Sequence, residues 1–189
     1  MVTRARLLRL AAGLAAGAAL GGRGGSALAQ PVTQATEAEI KAAYLLRFIG
    51  FVEWPDAAFP GPDAPLRMGV LDADSIATEL TSMARGRLLG RRPIVPQRLR
   101  GEEGVSGLHA LFVGRDSKGR LPGLVASAAG QPLLTIAENG DSPVPGSAIT
   151  FVVVDGKVRF DVTPRVAEQL HVKISSRLLP VARRVVLGS

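Results

Sequence analysis

Two β-branched runs separated by Asp155-Gly156 constrain the fold of this chain more than any other stretch. Asp-Gly between such runs is a strong hairpin signal, because a type I′ turn needs a positive φ at both central residues. We expect a hairpin over about 149–162, with residues 157–163 at the margin of a sheet. The register fixed by this turn places three apolar pairs on one face, namely Ile149/Val162, Phe151/Phe160 and Val153/Val158.

Short apolar runs alternate with helical patterns before the hairpin. We expect strands over 66–71, 93–99, 108–113 and 133–137, and helices over 36–53, 76–87 and 117–129. Thr36 and Glu39 form a capping box, Trp54-Pro55 should end the first helix, and two prolines confine 93–99 to an edge. This alternation predicts an α/β three-layer sandwich: a mostly parallel sheet, helices on both faces, and a C-terminal antiparallel hairpin followed by helices.

The first 29 residues have the pattern of a secretory signal peptide. Arg4, Arg6 and Arg9 form a basic region at the start of an apolar run over 7–20, and Ala27-Leu28-Ala29 is a typical cleavage site before Gln30. The run is interrupted by glycines and is short for a membrane anchor. We therefore expect export by the general secretory route, cleavage near Ala29/Gln30, a mobile lead over 30–35 and a single α/β domain over 36–187.

Composition narrows the function classes. Removing residues 1–29 takes away four of the 23 Lys and Arg and none of the 16 Asp and Glu, so the net charge falls from +7 to +3. That balance is ordinary for a soluble surface and is unlike a nucleic-acid-binding profile. The chain has no cysteine, which excludes disulfides, thiolate metal sites and cysteine nucleophiles.

The motifs of catalysis are missing from the sequence. Ser106 lies in Gly-Val-Ser-Gly, which lacks the spacing of a nucleophile elbow, and no glycine-rich phosphate loop opens a helix. The two histidines, His109 and His171, have no metal-ligand spacing and are expected at the surface or at element boundaries. We therefore predict that the protein is not an enzyme and holds no cofactor or metal.

Polar residues follow the predicted parallel strands, where open α/β sheets place their ligands. Asp72, Asp116, Glu138 and Asn139 could line an acidic pocket for a cation or a small polar ligand. The alternative interpretation, which we favour, is that Asp72, Asp74, Asp116 and Ser117 cap helices, as short polar side chains usually do.

Two further segments suit protein contacts. Trp54, Pro55 and Phe59 concentrate aromatic and apolar surface in a short stretch, and exposed aromatic residues anchor interfaces. A basic segment follows at Arg85, Arg87, Arg91, Arg92, Arg98 and Arg100, which could meet an acidic partner or a membrane surface. We name Trp54, Pro55, Phe59, Arg87, Arg91 and Arg92 as candidate partner-binding residues.

Two separated stretches of the sequence form a recognisable pair of motifs. The first is Lys-Ala-Ala-Tyr-Leu-Leu-Arg-Phe-Ile-Gly-Phe-Val-Glu-Trp-Pro over 41–55. The second is the hairpin with Gly146, Ile149, Phe151, Arg159 and Phe160, followed by Lys-Ile-Ser-Ser-Arg-Leu-Leu over 173–179. In this order they resemble the opening and closing signatures of the YfiR-like family of periplasmic proteins. The resemblance covers roughly residues 38–184 and implies an α/β fold.

The resemblance also implies a non-enzymatic periplasmic regulator. The founding member represses an inner-membrane diguanylate cyclase by binding its periplasmic part, and an outer-membrane lipoprotein relieves that repression. A regulator of this kind lowers cyclic di-GMP without touching it, and pairing of sheet margins would make it a homodimer. The alternative is a periplasmic small-ligand binding protein that uses the acidic carboxyl ends of the strands.

Overall fold

A computed structural model of the chain describes residues 35–101, 103–128 and 130–187. The predicted signal peptide, its cleavage near Ala29 and most of the predicted lead fall outside these ranges. Within them, no helix combines the length and the apolar character that crossing a bilayer requires.

The described residues form α-helices, β-strands and short turns of 3-10 helix. The helices are α1 (Glu37–Ile49), α2 (Asp74–Ala84), α3 (Leu121–Ser127) and α4 (Pro164–Gln169). The strands are β1 (Val52–Glu53), β2 (Leu66–Leu71), β3 (Leu88–Leu89), β4 (Arg92–Leu99), β5 (Ala110–Val113), β6 (Leu134–Glu138), β7 (Ile149–Val154), β8 (Lys157–Val162), β9 (Lys173–Ile174) and β10 (Arg184–Val185). Turns of 3-10 helix cover Asp56–Ala58, Arg115–Arg120 and Leu179–Val181.

Most strands join one mixed sheet, in the order β10-β8-β7-β6-β5-β2-β4-β3. The inner strands β4, β2, β5, β6 and β7 pair in parallel, while β7–β8 and β3–β4 are antiparallel. The strand order reverses between β2 and β5, because the chain passes first to β4 on one side and then to β5 on the other. A separate antiparallel pair joins β1 to β9.

Helices cover both faces of the sheet, which confirms the three-layer α/β sandwich. One face packs its inward side chains, such as Phe112 and Phe151, against α1, α2 and α4. The opposite face packs Leu111 and Val113 against α3 through Leu121. Burial of these apolar side chains is the main source of stability in a chain without disulfides.

The C-terminal hairpin has the predicted register, from Ile149 opposite Val162 to Val154 opposite Lys157. Its turn residues have φ of 50° and 68°, as a type I′ turn requires. The inward aromatic pair meets Phe48 of α1, whose ring centroid lies 4.8 Å from that of Phe160. The hairpin thus closes the core against the first helix.

The first helix begins as predicted and ends earlier. Thr36 Oγ1 accepts from the Glu39 N–H, and the Glu39 carboxylate accepts from the Thr36 N–H, which completes the capping box. The helix stops at Ile49 with Gly50 as its C-cap, so the prediction that it continues to Trp54-Pro55 was wrong. The following residues instead form β1, because β9, far along the chain, supplies a pairing partner.

The predicted final helix is absent from the described C-terminal residues, which form a 3-10 turn and β10. The physical reason is Asp161, whose carboxylate is buried. Arg183 and Arg184 bind it at 2.6 and 3.0 Å, and the parallel pairing of β10 with β8 holds these residues in an extended conformation. β10 therefore covers Asp161 and Val162, so this part of β8 is not the open margin that we expected.

The predicted helix caps at the strand ends were also wrong. Asp72 has a φ of 49° and precedes the N-cap of α2, which is Ala73 and makes no side-chain capping bond. Asp74 is the first residue of α2, and Asp116 and Ser117 lie inside the 3-10 turn that follows β5. Their side chains are therefore available for other contacts.

Candidate partner-binding surface

An aromatic and cationic stack lies where the loop after β1 meets the sheet. The rings of Phe59 and His109 are nearly parallel, with centroids 4.3 Å apart. The guanidinium carbon of Arg92 lies 3.7 Å from the centroid of Phe59, on a cation–π contact. Phe59 is half-buried as a result, and its loop is fixed to β4 and to the start of β5.

His109 anchors this stack through backbone contacts. Its Nδ1 accepts from the Arg67 N–H at 3.1 Å, and its Nε2 lies 3.0 Å from the Ala58 carbonyl oxygen. The Trp54 indole N–H donates to the His109 carbonyl oxygen at 3.0 Å. Because Nδ1 must be unprotonated to accept, this geometry selects the neutral ring with its proton on Nε2. His109 lies at an element boundary, directly before β5, and it is buried there, with 6% of its surface exposed.

Burial lowers the pKa of the His109 ring, and the nearby charges of Arg67 and Arg92 lower it further. The hydrogen bond to the Ala58 carbonyl opposes this shift without reversing it. The lowered pKa and the hydrogen bond that Nδ1 accepts both favour the neutral form of the ring. Since both ring nitrogens contact backbone groups, neither is directed at a serine hydroxyl.

Two arginines of β3–β4 tie the same loop to the hairpin. Arg92 donates to the carbonyl oxygens of Gly61 and Ala64 at 2.6 and 3.2 Å. Arg91, which is exposed, pairs with Asp63 at 2.8 Å. We call the six candidate partner-binding residues the loop–hairpin surface: Trp54, Pro55, Phe59, Arg87, Arg91 and Arg92. Trp54, Phe59 and Arg92 are linked through His109, and Arg91 is tied to the loop through Asp63. Pro55 lies in the loop, and Arg87 directly precedes β3.

The members of the loop–hairpin surface differ in accessibility. Pro55, Arg87 and Arg91 are exposed, whereas Trp54 and Arg92 are half-buried, as is the ring between Arg92 and His109. Arginine together with aromatic side chains is the composition that protein interfaces favour. The half-buried members hold the shape of the surface, and the exposed members are the groups that a partner can reach.

The carboxyl ends of the parallel strands carry a second cluster, centred on Glu138 at the end of β6. Lys41 of α1 is 3% exposed and binds Glu138 Oε2 at 2.8 Å. Arg115 binds Glu138 Oε1 at 2.7 Å, and Lys41 also contacts Glu37. Burial would raise the pKa of Glu138, but the hydrogen bonds from Lys41 and Arg115 outweigh it and hold that pKa below its ordinary value.

The other predicted pocket residues are mostly bound to the chain's own cations. Asp72 Oδ2 accepts from Ser117 at 2.5 Å and from Arg120 at 3.0 Å. Asn139 Oδ1 accepts from Lys118 at 2.5 Å, and Asp116 is exposed. Asp72 and Glu138 share a crevice of about 440 Å³ near the reversal of strand order, while Asn139 and Asp116 lie outside its lining.

The charges of this crevice are mixed rather than acidic. In the described ranges no group of three or more His, Cys, Asp and Glu side chains is placed to hold a metal ion. The sequence analysis did not identify Lys41 and Arg115 as the cations that neutralise Glu138. A signal was present, because Lys41 has the helical spacing of the buried Leu45 and Phe48 and so lies on the inward face of α1.

Comparison with known proteins identifies one family. The family described as YfiR/HmsC-like matches residues 38–183, which is nearly all of the described chain. No curated protein matches the sequence.

Proposed function

The chain belongs to the YfiR/HmsC-like family, a family of periplasmic, non-catalytic regulators, and from this premise we propose that it represses a membrane-bound signalling enzyme by direct contact. The enzyme that we propose is an inner-membrane diguanylate cyclase, bound through its periplasmic part. Repression then lowers cyclic di-GMP on the other side of the membrane. An outer-membrane lipoprotein that competes for the regulator would relieve the repression.

The loop–hairpin surface is the observation that supports this proposal. Its exposed arginines stand beside a loop whose position is fixed by the Phe59–His109 stack and by the Trp54 hydrogen bond. A surface that is already ordered loses little conformational entropy when a partner binds. Its positive charge favours an acidic patch on the partner and speeds the encounter.

A binding experiment with a charge reversal tests the proposal. Arg91→Glu should weaken binding to the periplasmic domain of the cyclase by about tenfold or more, because like charges then oppose each other across the contact. Arg165→Glu, an exposed arginine in the first turn of α4, is the matched control with the same change in net charge. Both variants are also scored for cellular cyclic di-GMP.

The expected outcome is a rise in cyclic di-GMP with Arg91→Glu and none with Arg165→Glu. If deleting the protein leaves cyclic di-GMP unchanged and no membrane enzyme co-purifies with it, the proposed function is wrong. If Arg91→Glu and Arg165→Glu both bind the periplasmic domain of the cyclase as tightly as the unchanged protein, the contact does not use the loop–hairpin surface.

The crevice at the carboxyl ends supports a second candidate function, the binding of a small polar ligand. It lies where open α/β sheets place ligands, beside the reversal of strand order between β2 and β5. Arg115 and Asp72, whose side chains are 49% and 32% exposed, give its lining both signs of charge and favour a ligand that also carries both. A thermal-shift screen of metabolites with both charges tests it, since a bound ligand raises the apparent stability by mass action.

A further inference from the structure

The β3–β4 hairpin presents an exposed apolar side chain at the edge of the sheet. Leu88 of β3 is 60% exposed, and Val95 of β4 is 37% exposed. The turn between the strands contains Gly90, whose φ of 61° lies in the left-handed region that glycine adopts without strain. The backbone of this turn is therefore unstrained, and Leu88 buries little of its side chain against the core.

The arginines of this segment fall into two classes. Residues 85–100 contain six arginines and no Asp or Glu. Arg91 pairs with Asp63, and Arg92 donates to loop carbonyls and covers an aromatic ring. These arginines therefore have partners within the chain.

Two more arginines of the segment converge on α2. Arg98 and Arg100 both pair with Asp74, at 3.3 and 2.8 Å. Arg85 and Arg87 are exposed, and neither has a carboxylate partner within the part of the chain that the structure describes. They flank the exposed leucine, so positive charge and apolar surface coincide at one tip.

An open apolar groove of about 510 Å³ runs beside this tip and includes Pro93, Ile94, Val95 and Pro96. This edge of the sheet is poorly suited to pairing with an additional β-strand. The Ile94 N–H already donates to the Arg87 carbonyl oxygen, and by the alternation of a strand Pro96 occupies the next outward position without an N–H. The edge therefore suits an occupant that makes apolar and ionic contacts without backbone hydrogen bonds.

We propose that this tip docks on the surface of an anionic lipid bilayer. Leu88 enters the interface, and Arg85 and Arg87 contact lipid phosphates. Stable protein interfaces bury about 800 Å² on each partner, far more than one leucine and two arginines offer. Reversible binding to anionic lipid needs only a few basic residues and a short apolar insertion. Such docking holds the regulator at a membrane face without requiring the cyclase.

Vesicle binding tests this proposal, with the protein purified from the periplasmic fraction. The probes are vesicles of phosphatidylglycerol with phosphatidylethanolamine and vesicles of phosphatidylcholine alone. We expect binding to the anionic vesicles that weakens as salt rises, because salt screens exposed charges. Arg85→Glu/Arg87→Glu should reduce binding by about tenfold or more, and Leu88→Ser by about threefold.

Two controls separate the tip from general electrostatics. Lys157→Glu/Arg159→Glu makes the same charge change on exposed residues of β8, and Val181→Ser makes the same kind of polar change at a side chain that is 64% exposed. Each should change binding by less than about twofold if the tip makes the contact. All variants have the same N-terminal residues, so any contribution of residues before 35 to vesicle binding is the same in every variant.

Absence of binding to the anionic vesicles overturns the proposal, as does an equal loss in the tip variants and their controls. An acidic protein that needs Arg85 and Arg87 while lipid binding is absent also overturns it, in favour of a protein contact. Because the vesicles contain no cyclase, failure here leaves the proposed repression intact. Failure of the cyclase contact likewise leaves lipid docking intact.

Discussion

The carboxyl-end crevice and the loop–hairpin surface both concentrate charge, and they use it in opposite ways. At the crevice, Glu138 is bound by two cations inside the chain, and the buried lysine is bound by two carboxylates. At the loop–hairpin surface, Arg87 is exposed and Arg91 has one exposed partner. Charge that is already neutralised stabilises the fold, whereas charge that faces solvent is available to a partner.

The largest effect should follow from breaking the buried ion pair. Glu138→Ala leaves the Lys41 ammonium, which is 3% exposed, with Glu37 as its remaining partner. We expect a loss of about 3–5 kcal/mol in the free energy of unfolding, because an uncompensated buried charge is costly. Urea unfolding measures the loss. Glu37→Gln, at an exposed partner of the same lysine, should cost less than about 1 kcal/mol. Equal costs would mean that the crevice is not a structural ion cluster.

The next effect should come from the aromatic stack of the loop–hairpin surface. Phe59→Ala removes the ring between Arg92 and His109 and should cost about 2 kcal/mol, less than for a fully buried phenylalanine because Phe59 is half-buried. Leu88→Ala, which truncates an exposed side chain of the neighbouring hairpin, should change stability by less than about 0.5 kcal/mol. Urea unfolding measures both, and a negligible cost at Phe59 would show that the loop is held without the stack.

The stability contributed by the loop–hairpin surface and by the ion clusters should be lost in different pH ranges. The pKa of His109 is lower in the folded protein than its ordinary value of 6.5, so the unfolded chain binds the additional proton first. The stability that His109 supplies is therefore present above about pH 6.5 and is lost as the pH falls below it. Protonation also ends the acceptance of the Arg67 N–H, which releases the loop–hairpin surface. Unfolding free energies measured between pH 5 and 8 test this, and His109→Asn should remove the dependence.

At the ion clusters the loss should occur at lower pH. Burial raises the pKa of Asp161, but the hydrogen bonds from Arg183 and Arg184 bring it below its ordinary value, as at Glu138. Stability from these carboxylates is present above about pH 4 and is lost as the pH falls through their lowered folded values. In His109→Asn this acid step should remain, which separates the two regions in one titration.

Breaking the exposed pairs of Asp74 should have a smaller effect than breaking either the buried ion pair or the aromatic stack. Its partners Arg98 and Arg100 have side chains that are 42% and 64% exposed. Asp74→Asn should lower the free energy of unfolding by less than about 1 kcal/mol, since solvent and salt screen such pairs. A loss comparable to that of Glu138→Ala would remove the distinction between buried and exposed charge.

The sequence predicted the features that depend on near neighbours. The turn at Asp155-Gly156 and the capping box of Thr36 and Glu39 each carry their signal within a few residues, and both are confirmed. The alternation of strands and helices likewise gave the sheet and its layers. These features follow from local backbone preferences and from the period of the apolar residues.

Features that depend on distant partners were missed or wrong. β1 forms because β9 pairs with it, and β10 is extended because Asp161 is buried beside it. Asp is a residue type that often caps helices, yet the Asp72 carboxylate is bound by Ser117 and Arg120 from the next crossover. Local sequence patterns do not report which distant groups meet. The loop–hairpin surface was named residue by residue, but its connection through His109 required the structure.

The extended C-terminal tail has a consequence for the order in which the domain can fold. Asp161 receives both of its cations, and β1 its partner strand, from residues after 172. Synthesis from the N-terminus delivers these groups late. The native contacts of Asp161 and β1 must therefore wait until the residues after 172 are available.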